Sequence, residues 1–104
     1  MTRTKSMIYK ETVESRELFL YATNDCGLYR RMIAPTIENL RKKAVKGNYD
    51  KEKAIDAYYY VATEASKMYK KDFGYRFGVQ DRFTAAVDME KFYREDEVFY
   101  GLEA

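Results

Sequence analysis

The chain has no histidine and no tryptophan, one cysteine and one proline among 104 residues. Without His it lacks the side chain that most often serves as a general base near neutral pH. It also lacks the commonest zinc ligand and the partner in Ser–His and Cys–His nucleophile pairs. Cys26 has no second cysteine to pair with, so internal disulfides and Cys-pair metal or redox motifs are absent, which suits a reducing compartment. Close to a helix start, Cys26 is expected to be a small buried hydrophobe. No apolar run approaches 18 residues and no signal-peptide pattern is present, so a cytoplasmic chain with no membrane partner is expected. The glycine-containing stretches GNYDKEK and GYRFG match neither a phosphate loop nor a dinucleotide fingerprint. These absences point away from an enzyme, a metal site or a cofactor. The one catalytic chemistry left is sugar or phosphate cleavage by paired carboxylates. The available pairs, Asp88 with Glu90 and the run Glu95 to Glu97, read more simply as solvated faces.

What is abundant is tyrosine, 11 residues, within a composition that is 46% hydrophobic and 35% charged. A chain of this length and apolar content supports one core without disulfides or metal. Buried Tyr needs a partner for its hydroxyl, so these positions sit half in the core and half at the surface. The net charge of +2 is uneven. Residues 1–79 carry 16 Lys/Arg against 10 Asp/Glu, and residues 80–104 carry 3 against 7. A basic body with an acidic end can neutralise itself or pair with another copy, and is less basic than a dedicated nucleic-acid binder.

Spacing predicts an all-α fold: a small four-helix domain built on a central antiparallel helical hairpin over residues 28–74. Ala54, Ala57, Tyr58, Val61, Ala65, Met68 and Tyr69 recur at three- and four-residue steps, with Asp50 as N-cap and Phe73-Gly74 as the stop. Tyr29, Ile33, Ile37, Leu40 and Ala44 form a matching stripe that Gly47-Asn48 ends. The short connection to Asp50 makes the two helices antiparallel neighbours. Pro35, inside the first of them, marks a kink or a boundary. A further helix runs from about Val79 to Arg94, with Val79, Phe83, Ala86, Val87 and Tyr93 on one side and Glu90 as a flaw in the stripe. Residues 7–13 suit an ordered arm on the helices. ELFLYA, 17–22, is apolar all round and is taken as a helix with Ser15 as its cap, ended by Asn24-Asp25. The whole chain, 1–104, reads as one domain closed by an acidic aromatic tail.

Three features suit contacts. Arg31, Lys42 and Lys46 project from the second helix opposite its apolar stripe, with Glu38 placed to pair with Lys42. A partner's phosphates or carboxylates would dock there. A plain solvated face, or a dock for the chain's own tail, fits as well. Tyr58, Tyr59 and Tyr60 are consecutive and point about 100° apart. Tyr58 joins the core, and Tyr59 joins a second stripe with Ile55 and Ala62. Tyr60 falls on a polar face with Lys67, where an exposed Tyr suits a protein interface or base stacking. Phe99 and Tyr100 follow the acidic cluster and suit a basic protein surface, or pack back on the domain.

The spacing of Glu17-Leu18, Asn24-Asp25, Leu28-Tyr29-Arg30-Arg31, Pro35, Asn39-Leu40, Gly47, Tyr49-Asp50, Lys53-Ala54, Tyr69 and Phe73-Gly74 resembles a group of small uncharacterised proteins encoded by tailed bacteriophages. The resemblance covers roughly residues 17–74 and carries no catalytic residues. It implies an accessory protein acting in the cytoplasm of a host bacterium, where such proteins bind and redirect or block host components, including defence systems. The expected function is therefore occupancy of a host protein. The alternatives are nucleic-acid or nucleotide binding by the basic helix face, and a self-assembling homo-oligomer.

Overall fold

A computed structural model of the chain describes residues 7–98, with side chains as far as Asp96. Among these residues there is no strand, and the helices form four continuous paths. The first, α1, is Val13–Asn24. Its cap is Thr12 rather than Ser15. The Thr12 hydroxyl accepts the Ser15 N–H at 2.9 Å, and the Ser15 hydroxyl accepts the Thr12 N–H at 2.9 Å. This reciprocal pair satisfies two backbone donors at once and settles ELFLYA as helix. Leu18, Phe19 and Ala22 are buried by it.

The second path, α2, joins Cys26–Leu28, a π-helical turn Tyr29–Ile33 and Ala34–Val45. The Asp25 carboxylate accepts the Leu28 N–H at 2.7 Å and starts the helix. Pro35 marks a boundary, as expected: the π turn ends at Ile33 and the α-helical stretch begins at Ala34, with the proline in its first turn. The wider turn just before it, in which the Ala34 N–H reaches the Tyr29 carbonyl, absorbs a residue with no N–H to give. Cys26 lies exposed in the first turn, not buried as expected. Gly47, with φ of 75°, ends the path through its left-handed conformation.

The third, α3, is Lys51–Phe73, capped by Asp50 and closed by Gly74 in the left-handed conformation, φ 78°. It is buried on two sides. Ala54, Tyr58, Val61 and Ala65 form one stripe, and Ile55, Tyr59 and Ala62 form the second. The fourth, α4, is Val79–Tyr93 and runs on into a π turn, Arg94–Val98. Phe83, Ala86 and Tyr93 are buried as the spacing requires. Val79, the first residue of α4, is exposed.

Glu90 is no flaw. It is fully buried, and its Oε2 accepts from Arg94 Nε at 2.7 Å and from the Tyr49 hydroxyl at 2.7 Å. One carboxylate thus ties the α2–α3 turn to the end of α4. Burial, and then the Glu90 carboxylate, hold the Tyr49 phenol well above its ordinary range.

The most extensive pairing is α3 with α4, and α1 covers both, whereas α2 meets α3 sparsely. The hairpin that organises the domain is therefore 51–93 rather than 28–74. Ala62 and Ala65 on α3 and Ala85 and Ala86 on α4 are fully buried, and small side chains let two helices approach closely. The arm before α1 lies along α4. Lys10 N–H donates to Thr84 Oγ1 at 3.1 Å, the Thr12 hydroxyl to Asp81 at 2.9 Å and the Tyr9 hydroxyl to Asp88 at 2.8 Å.

Candidate functional site

Because α2 splays from α3, a cleft of about 580 Å³ opens between them. Its floor includes Leu40 and Ala57, and Pro35, Thr36, Asn39, Lys43, Lys46, Asn48 and Lys53 line its sides. Lys43 is in the last turn of α2 and Lys46 caps its end, while Lys53 comes from the first turn of α3. None of the three ammonium groups is ion-paired among the described residues. The one acid in the lining, Asp50, already accepts the N–H groups of Glu52 and Lys53 as the helix cap. Lysines held around a half-apolar groove attract carboxylates or phosphates and have no basic residue's usual carboxylate to release first.

Of the residues expected from sequence, Lys46 enters this cleft. Lys42 is exposed on α2 outside the lining, and its expected partner Glu38 lies 3.9 Å from Arg41 instead. Arg31 stands at the far end of α2, its guanidinium 3.7 Å from the Met68 sulfur. Tyr60 is 46% exposed. It continues the α3 stripe Lys53, Ala57, Tyr60 and Lys67 by helical spacing, so it extends the cleft's face along α3. Lys67 is exposed on the same stripe. Phe99 and Tyr100 lie outside the described residues. Lys43 and Lys53 were missed. The signal for Lys43 was the i, i+4, i+7 run Asn39, Lys43, Lys46, legible only when α2 is known to stand away from α3, and Lys53, on α3, had no local signal.

The opposite face is built differently. Tyr21 of α1, Tyr69 and Phe73 of α3, and Tyr75 and Phe77 of the loop before α4 make one continuous aromatic cluster. Centroids are 5.1 Å apart for Tyr21–Tyr69, 4.7 Å for Tyr69–Phe73, 4.8 Å for Tyr69–Phe77 and 4.9 Å for Tyr75–Phe77. Phe77 is buried, but Phe73 is 66% and Tyr75 46% exposed. Acidic groups border the rings. The Tyr21 hydroxyl donates to Asp72 at 3.0 Å and the Tyr69 hydroxyl to Glu17 at 3.4 Å. Burial and then that Asp72 bond push the Tyr21 phenol up to about 12. Sequence reading saw GYRFG only as a loop. Tyr75 and Phe77 meet Tyr69 of α3, six and eight residues back, and the α1 side of the cluster comes from Tyr21, 48 residues before Tyr69, which no local pattern announces.

Among the described residues, no group of His, Cys, Asp and Glu is placed to hold a metal ion, and no helix is long and apolar enough to cross a membrane. No family model matches the chain, and no curated protein or solved structure matches it.

Proposed function

We propose that this protein is a non-catalytic binding module which modulates or inhibits a host protein by occupying an acidic patch on it, as the resemblance to small phage accessory proteins suggests. The observation that carries the reading is the splayed α2–α3 cleft, with three lysines unpaired among the described residues around an apolar floor. Tyr60 and Lys67 on α3, with Arg31 and Lys42 on α2, widen that basic face. The acids Glu17 and Asp72 that border the aromatic cluster favour a protein over an extended nucleic acid, since a long polyanion crossing the surface would meet like charge there. Occupancy of this kind draws on electrostatic complementarity for its on-rate and on an exposed aromatic for contact area.

Affinity capture from bacterial lysate tests the reading. A host protein retained after nuclease treatment, and lost when Lys43, Lys46 and Lys53 are all changed to Glu, is the expected result. Retention unchanged by the triple variant removes the cleft from the interface. The second reading, a nucleic-acid or nucleotide site, rests on the same three lysines. It requires capture that vanishes with nuclease and affinity that falls steeply with salt.

A further inference from the structure

We propose that the groove between α1 and the loop joining α3 to α4 seats a cationic side chain, the guanidinium or ammonium of an Arg or Lys presented by a partner protein. The groove encloses about 320 Å³ and is lined by Val13, Glu14, Glu17, Tyr69, Tyr75 and Phe77. Its location, lining and charge are separate from the lysine cleft, so the inference stands whether or not that cleft is used.

The rings come first. Tyr69 and Tyr75 stand 6.5 Å apart at 83°, Tyr75 and Phe77 4.9 Å apart at 78°, and Tyr69 and Phe77 4.8 Å apart at 64°. The groove is thus walled by rings set at several inclinations to one another. A cation within roughly 6 Å of a ring centroid gains from the negative ring face, more so as water is displaced. Phe77 is the buried floor, while Tyr75 is free to contact a guest from the rim. The chain already uses this chemistry internally. The Arg16 guanidinium lies 5.1 Å from the Phe19 centroid and the Arg82 guanidinium 5.7 Å from that of Tyr59.

The carboxylates then fix the sign of the guest. Glu14 makes no hydrogen bond or ion pair among the described residues, and Glu17 is engaged only by the long contact from Tyr69. Lys70, Lys71 and Arg76 are near in sequence, but none of them lines the groove. An apolar guest would cover the rings and strip water from two carboxylates with nothing to replace it, a costly exchange. A phosphate would be repelled. An Arg or Lys side chain meets all the demands at once: its stem lies on Val13 and the rings, and its charge meets Glu14 and Glu17.

The test is a nuclear magnetic resonance titration of the intact protein with N-acetyl-arginine amide, and separately with the neutral isostere N-acetyl-citrulline amide. Saturable shifts centred on Tyr69, Tyr75 and Phe77 are expected with the arginine probe, and affinity at least about tenfold weaker with citrulline, as loss of the cation–π and carboxylate contacts implies. Glu14→Gln combined with Glu17→Gln, both exposed positions, should lower arginine affinity about tenfold and leave citrulline unchanged. Tyr75→Ala should weaken the arginine probe as well, and Lys43→Glu should leave it untouched. Equal affinity for the two probes, shifts centred elsewhere, or an arginine affinity indifferent to the Glu variants would each overturn the assignment. So would a concentration-dependent dimer dissolved by the arginine probe, because the occupant would then be a second copy of this chain.

Discussion

Helix α3 takes part in two hairpins whose connecting turns are the same length, residues 46–50 and 74–78, yet one hairpin is closed and the other open. Turn length makes two helices neighbours; the residues at the interface decide how near they come. Along α3–α4 both helices bury alanines, 62 and 65 on one and 85 and 86 on the other, and the Tyr58 and Tyr93 rings stack at 5.7 Å. Along α2–α3 the facing positions include Thr36, Asn39, Lys43 and Lys53. Bringing α2 down onto α3 would press ammonium groups together and desolvate them, so the pair stays apart and leaves a cleft. The domain buries two stripes of α3 and leaves the face of Lys53, Ala57 and Tyr60 open.

High pH should separate the two hairpins most sharply. Tyr58 belongs to the closed side and Tyr49, in the α2–α3 turn, is tied to it through Glu90, and burial is the first cause holding both phenols above their ordinary range. A folded-state pKa raised above the unfolded value of about 10 stabilises the fold fully below that pH, and the contribution is lost as pH rises through the folded value. Tyr21, pushed up to about 12, acts in the same direction. Cooperative unfolding above about pH 10, coincident with tyrosinate absorbance, is the expected result. Tyrosines that titrate one by one in a protein still folded by circular dichroism would contradict the closed packing.

Glu90→Ala should be the most damaging single change on the closed side. It leaves Arg94 and the Tyr49 hydroxyl without their shared acceptor and opens space in the core. A loss of about 3 kcal/mol in urea unfolding is expected, at the low end for a broken buried pair because Arg94 is partly exposed. Glu90→Gln, which keeps an acceptor for Tyr49, should cost less. Tyr58→Phe should go the other way. The Tyr58 hydroxyl is buried with no hydrogen-bond partner among the described residues, and an unsatisfied buried polar group is a standing cost, so a gain of about 1 kcal/mol is expected. A loss instead would reveal a bridging water between Tyr58 and its neighbours.

The helices themselves were legible because their signals are local. Asp50, Gly47 and Gly74 do what their chemistry says, and the three consecutive tyrosines of α3 divide between two buried stripes and an exposed face as the 100° step requires. The choice of hairpin was not legible. Both candidate turns are equally short, and the deciding feature, that α3 packs extensively on α4 and sparsely on α2, has no period of its own. Glu90 illustrates the same limit. A carboxylate inside an apolar stripe is a defect until Tyr49, 41 residues earlier, is seen to reach it. Of the candidate surfaces, single residues were visible, Lys46 and Tyr60 among them, but not the assembly of Lys53 with Lys43, nor of Glu17 with Tyr69 and Tyr75, since each joins separate helices.

The smallest effect expected is on the open side, and its sign matters more than its size. Lys53→Glu places a carboxylate opposite Lys43 and Lys46 and in the first turn of α3, where the helix dipole favours negative charge. Like-charge crowding becomes attraction, and stability should rise by about 0.5 kcal/mol, the range of an exposed pair, with the gain shrinking in high salt. The same variant should bind the captured partner more weakly. A surface that becomes more stable as it loses its ligand is one whose charge arrangement serves binding rather than folding. If Lys53→Glu instead destabilised the protein, the lysines would be holding α2 in place, and the cleft would be a product of folding rather than a site.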